Sequence, residues 1–254
     1  MKIFTTLIML LFLNLGLSQD YSKELFVQNN DTLPYRMLLP KDYSPLKQYP
    51  MIVFLHGSGE RGSDNEAQLV HGDWLFKTTD FKNNYPAIVV FPQCAKNKFW
   101  ANRSASKSDH NGSYHFEGAL AQNTILDQLE SLIDQLENTL SVNKKKIYIG
   151  GLSMGGMGTF EMVARNPNKF AAAFPICGGT NVRFASLMKD TPFWIFHGEA
   201  DTVVPVTYSK EIYEALKNLD AEVELTLYPE AGHDSWNNVF KESGLMPWVY
   251  KHSR

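Results

Sequence analysis

The chain has 254 residues, 44% of them hydrophobic and 20% charged, with a formal net charge of −3. That balance is ordinary for a soluble globular protein, and this length fits one large domain. With only Cys94 and Cys177 present, no disulfide framework holds up a small core, and the mild acidity gives no electrostatic footprint for nucleic acid or anionic membranes.

Met1 and Lys2 make a short positive start, Leu7 to Leu13 is an unbroken apolar run, and Gly16 and Ser18 precede a plausible cut ahead of Gln19. This three-part pattern predicts a secretory signal peptide over residues 1–18, with an apolar run too short to span a bilayer comfortably. Cleavage removes Lys2 and no acid, so the formal charge moves from −3 to −4. Residues 19–254 are then expected as a single secreted or periplasmic domain with no stable membrane anchor. A bridge between Cys94 and Cys177 and a pair of buried thiols both fit an exported chain.

No internal repeat or linker-like stretch divides the remainder. Runs at 24–27 and 35–39 look like an antiparallel opening pair. Runs at 51–55, 87–91, 146–149, 171–174 and 193–196, each ending in Gly, Pro or His, read as buried strands, with another at 225–228. Helical spacing is clearest over 118–140, where Leu120, Ile125, Leu126, Leu129, Leu132, Ile133, Leu136 and Leu140 recur. Weaker helical patterns cover 64–76, 154–165 and 208–219. The alternation specifies an α/β fold: a mostly parallel sheet of about eight strands with helices on both faces and the site at the strands' carboxyl ends.

At that edge, Gly151-Leu152-Ser153-Met154-Gly155 follows a strand and opens a helix. A serine on so sharp a turn is strained, and the flanking glycines allow the strand and helix backbones to approach. A serine hydroxyl needs a histidine base, itself oriented by a carboxylate, in the chain order Ser, Asp, His. Asp201 lies in the loop after the 193–196 strand and His233 in the loop after the last one. His197 reads instead as a packed strand end, and His252 stands too near the terminus to be ordered as a base. Glu199 and Asp234 are rival acids: Glu199 falls close to its strand end, and Asp234 cannot easily curl round to its neighbour's ring.

His56-Gly57-Ser58-Gly59 places a glycine-rich turn after the 51–55 strand, where the Ser58 N–H joins the Met154 N–H as oxyanion donors. Glu60 and Arg61 are expected to pair with each other beneath that turn. Residues 99–118 form an insertion of about 20 residues with little periodicity, opened by Trp100 and closed by Tyr114, His115 and Phe116. Two readings stand: a substrate-binding rim with Trp100 stacking on an aromatic acyl group or sugar, or a solvated loop with its aromatics in the core. Trp236 is likewise a pocket wall beside His233 or simple packing. His71, His110 and His115 show no metal-ligand spacing and read as surface residues, so no metal or organic cofactor is expected.

These motifs, with Phe91-Pro92-Gln93-Cys94, Phe174-Pro175-Ile176-Cys177-Gly178-Gly179 and Gly232-His233-Asp234-Ser235-Trp236, resemble the α/β-hydrolase superfamily. They are most similar to its secreted feruloyl-esterase-like, acetylxylan-esterase-like and polyhydroxybutyrate-depolymerase-like branch. The resemblance implies hydrolysis of carboxylic esters through an acyl-serine intermediate, without a cofactor. Many relatives are labelled peptidases from similarity to the prolyl oligopeptidase catalytic domain, so cleavage of small peptides is the alternative. A non-catalytic binding protein would have little reason to keep a complete triad. The best lid candidate, Asn102 to Gly112, holds nothing more apolar than Ala105. A water-soluble small or polysaccharide-linked ester is therefore expected, not a lipid at an interface.

Overall fold

A computed structural model describes residues 20–105 and 114–254. The expected signal peptide and most of the lid candidate lie outside the described residues. The chain opens with a hairpin, β1 (Ser22–Gln28) and β2 (Asp31–Leu38). Its two-residue turn, Asn29-Asn30, takes left-handed φ values of 52° and 62°, which asparagine tolerates and which match the strand twist. After β3 (Tyr49–Leu55) come α1 (Thr79–Asn84), β4 (Ile88–Pro92) and a small separate hairpin of β5 (Arg103–Ala105) and β6 (Tyr114–Phe116). Then α2 (Thr124–Thr139), β7 (Val142–Leu152), α3 (Met154–Arg165), β8 (Ala172–Ile176), α4 (Ala185–Met188) and β9 (Phe193–Gly198) follow. The chain closes with α5 (Thr207–Lys217), β10 (Val223–Tyr228), α6 (Trp236–Val239) and α7 (Leu245–Lys251).

Eight strands form one sheet in the order β1-β2-β4-β3-β7-β8-β9-β10. β2 runs antiparallel to both β1 and β4, and the strands from β4 through β10 pair in parallel. All eight expected strands are present. The sheet separates two cores: Met51, Val53 and Leu55 of β3 join α2 on one face, while Ile52 and Phe54 join Phe76, Phe174 and Trp248 on the other. Such two-sided burial is why these strands read as unbroken apolar runs rather than alternating ones. Cys94 belongs to the first core and Cys177 to the second, and both are free. The sheet between them rules out the bridge.

Two helical expectations change. The 118–140 pattern shortens to α2, whose start is set by the Asn123 side chain accepting from the Leu126 amide. Residues 64–76 form no α-helix. Asn65 at φ 55° and Gly72 at φ 86° interrupt the segment, leaving short 3₁₀ turns at Ala67–Leu69 and Asp73–Lys77. Asp64 Oδ1 ties off the first by accepting from the amides of Glu66 and Ala67.

Candidate active site

β7 delivers Ser153 to the carboxyl edge of the sheet at the moment the chain turns into α3. Its backbone sits at φ 54°, ψ −117°, a conformation costing about 1–3 kcal/mol for a residue with a Cβ. Close packing maintains it. A Cβ on Gly155 would lie 2.0 Å from the Leu55 carbonyl oxygen, and one on Gly151 would lie 2.7 Å from the same atom. The Ser153 amide donates to Ile176 O of β8 at 2.9 Å, which pins the elbow from the other side.

His233, in the loop after β10, joins the serine to the acid. Its Nε2 lies 2.9 Å from Ser153 Oγ and its Nδ1 2.8 Å from Asp201 Oδ2. Only Nδ1 faces a carboxylate, so Nδ1 carries the proton and Nε2 is left as the acceptor for the serine hydroxyl. Asp201, in the loop after β9, is buried, and its Oδ1 accepts from the amides of Val203 (2.8 Å) and Val204 (2.9 Å). Burial by itself would raise the Asp201 carboxyl. Hydrogen bonds from His197, His233 and those two amides outweigh it and hold the group well below the usual carboxylate range. The rival acids lie elsewhere: Glu199 pairs with Lys210 at 3.2 Å, and Asp234 is exposed and accepts from Asn237.

His197 is fully buried, as a packed strand end should be, but its Nε2 also approaches Asp201 Oδ2 at 3.3 Å. Two imidazoles therefore share one carboxylate oxygen, a relation that four residues of sequence separation did not disclose.

The oxyanion turn adjoins the nucleophile. A Cβ on Gly57 would lie 3.7 Å from Ser153 Cβ, so the turn meets the elbow at this glycine. Met154 N–H is the first of α3 and has no intrahelical acceptor. Beneath the turn, His56 accepts from the Cys94 amide at Nε2 (2.9 Å) and donates from Nδ1 to Gly57 O (2.6 Å). Burial pulls the His56 imidazole down to about 4, so the ring stays neutral in this single tautomer. Arg61 does not pair with Glu60. It donates to the carbonyls of Ser58 and Lys98, while Glu60 lies 3.7 Å from His71 Nε2. That pairing spans ten residues of irregular chain and left no mark in the sequence.

Trp100 does not reach a substrate rim, which is a correction. It is fully buried, with its ring edge-on to His56 at 5.6 Å, and its Cβ would lie 2.5 Å from one built on Gly158 of α3. The insertion is bound to the body at its ends instead. The Asn102 amide donates to Glu161 Oε2 at 2.5 Å, Asn181 Nδ2 donates to Phe116 O at 3.1 Å, and the Phe116 ring meets Tyr208 edge-on at 5.3 Å. Trp236 is part-exposed and does lie beside the base, its ring edge-on to His233 at 5.5 Å and 5.1 Å from that of His71.

Among the described residues, one grouping could offer metal ligands: Cys177, Asp201 and His233, with atoms within 4.8 Å of one another. Two of these are already bonded to each other as acid and base. Burial pushes the Cys177 thiol far above its ordinary range, so it stays protonated.

A family model described as Phospholipase/Carboxylesterase matches residues 44–243. The chain superposes on a thermostable esterase with a TM-score of 0.83 at 32% identity, covering 94% of this chain and 64% of that one. A bifunctional acetylxylan esterase/xylanase, XynS20E, of Neocallimastix patriciarum is 36% identical over 77 residues, 30% of this chain and 11% of that protein. Lysophospholipase-like protein 1 of Mus musculus is 26% identical over 212 residues, 78% of this chain and 84% of that one. The chain thus spans under two thirds of the esterase and a small part of the bifunctional enzyme.

Proposed function

The chain belongs to the phospholipase/carboxylesterase family, and from that premise we propose that it is a secreted serine esterase acting on short-chain, phenolic or carbohydrate-linked esters. The observation that carries the reading is His233, placed 2.9 Å from Ser153 Oγ and 2.8 Å from Asp201 Oδ2. His233 Nε2 takes the hydroxyl proton as Ser153 Oγ bonds to the ester carbonyl carbon, and the carbonyl oxygen becomes an oxyanion. The amides of Ser58 and Met154 are the proposed donors to it, each worth roughly 3–4 kcal/mol in the transition state. As the intermediate collapses, the C–O bond breaks and His233 returns its proton to the departing alcohol. Water repeats the sequence, freeing the acid and restoring Ser153.

The substrate range is supported by the polar composition of Asn102 to Gly112, which offers nothing for a lipid surface to cover. Export is supported by the pattern of residues 1–18. Among the described residues, no helix is long and apolar enough to cross a membrane. The test is fluorophosphonate labelling with turnover of p-nitrophenyl acetate, methyl ferulate, acetylated xylan and a chromogenic peptide. Ser153→Ala should lose both labelling and turnover while keeping its melting temperature. Labelling that persists in that variant, or turnover confined to the peptide, would overturn the reading.

A further inference from the structure

Resting on the esterase reading, we infer that Glu60, which lies beside His71, the ring that Trp236 connects to His233, is the specificity-determining wall for the leaving alcohol. It favours esters of polyhydroxylated or cationic alcohols and disfavours esters of anionic ones. A Cβ built on Gly57 would lie 3.0 Å from Glu60 Oε2 and 3.7 Å from Ser153 Cβ, so carboxylate and nucleophile flank the same glycine. From Glu60 the rim is continuous: His71 Nε2 at 3.7 Å, then the Trp236 ring 5.1 Å from that of His71, then His233 at 5.5 Å. His233 Nε2 hands the proton to the departing alcohol, so a surface that adjoins this ring borders the alcohol's path.

The charge at Glu60 calls for a use. A carboxylate against the Gly57 turn, the proposed oxyanion turn, opposes the negative charge of the intermediate, and the triad makes no use of it. Its side chain is 14% exposed, and His71 stands beyond hydrogen-bond length, so it keeps acceptor capacity toward the site. Hydroxyl groups of a sugar-like alcohol can donate to it while a ring face rests on Trp236, and a cation gains directly from its charge. An anionic alcohol meets repulsion.

The experiment uses two aryl acetates, 4-trimethylammoniophenyl acetate and 4-carboxyphenyl acetate, at low ionic strength. Their intrinsic reactivities cancel when the ratio of kcat/KM values is compared between proteins. Glu60→Gln should lower the cation-over-anion ratio about tenfold, as expected for unit charges about 6 Å apart in a water-like dielectric, the cation losing an attraction and the anion a repulsion. Rising salt should shrink the difference between the two proteins. An acetylated methyl glucoside should show a raised KM in the variant with a smaller change in kcat. Asp234→Asn, which neutralises the exposed neighbour of the base, should leave the ratio within about twofold. A ratio unmoved by Glu60→Gln, or collapsed instead by Asp234→Asn, overturns the inference while the esterase reading stands. If Glu60→Gln does not fold, wild-type turnover that favours the anionic acetate overturns it. Failure of the wild type to cleave either acetate would instead sink the esterase reading.

Discussion

Asp201 Oδ2 accepts from His233 Nδ1 and faces His197 Nε2, while Oδ1 takes two successive backbone amides. With every oxygen engaged by a donor, the side chain has one orientation, and that orientation sets the tautomer of the base. Asp201→Asn would present an amide N–H or a neutral carbonyl to a ring that needs a carboxylate, favouring the tautomer with the proton on Nε2. kcat should then fall by about 10⁴ at neutral pH, as in the trypsin-like precedent. Glu199→Gln, which removes only an exposed pairing with Lys210, should stay within a few-fold of wild type. Steady-state kinetics on p-nitrophenyl acetate decide between them, and a larger loss for Glu199→Gln would move the acid two residues back along the chain.

The elbow is an element-scale device, because Ser153 cannot hold its backbone angles alone. β3, β7 and α3 converge on it, and Gly155 is the tightest of the elbow glycines, with a backbone oxygen where a Cβ would need to be. Gly155→Ala should cost more than about 4 kcal/mol or prevent folding, since the clash is with the Leu55 backbone and not with a movable side chain. Gly59→Ala, with nothing within 4 Å, should be tolerated. Soluble yield and urea midpoints test the pair, and a stable Gly155→Ala enzyme would contradict this packing. The same convergence explains what could be read in advance. Strand, elbow and helix are contiguous, so Ser153 announced itself, and the loops after β9 and β10 hold Asp201 and His233 near their strand ends. Trp100 and Trp236 were ambiguous because an aromatic beside a loop fits core and rim equally well. Trp100 took the core, while Trp236 packs against the second core with its ring also beside His233. The 64–76 pattern misled because apolar spacing does not register Asn65 and Gly72 in left-handed angles. α7 was missed because it spans only Leu245–Lys251 and carries Pro247 in its first turn.

Taken as one molecule, the fold buries imidazoles that the unfolded chain exposes, and this ties its stability to pH. Burial pulls His56 down to about 4 and also lowers His252. Below about pH 6.5 the unfolded chain takes up protons that the folded chain refuses, so stability falls as pH drops toward 4, by about 3 kcal/mol from His56. Glu161, raised by burial, works in the opposite sense just above the ordinary carboxylate range and offsets part of this loss. The depressed Asp201 carboxyl contributes stability above its ordinary value and loses it only as pH falls further. Urea unfolding between pH 7 and 4.5 should therefore show a declining free energy, and a flat profile would count against neutral, buried His56. The two unbridged thiols supply a separate measure of the whole. Burial pushes Cys94 up to about 12 and Cys177 higher still, so neither offers a thiolate to an alkylating reagent while the chain is folded. They lie in different cores on opposite sides of the sheet. Each becomes a clock that starts only when its own half opens. If the molecule comes apart as a single unit, iodoacetamide should modify both at one shared rate, and two distinct rates would mean that one side of the sheet lets go before the other.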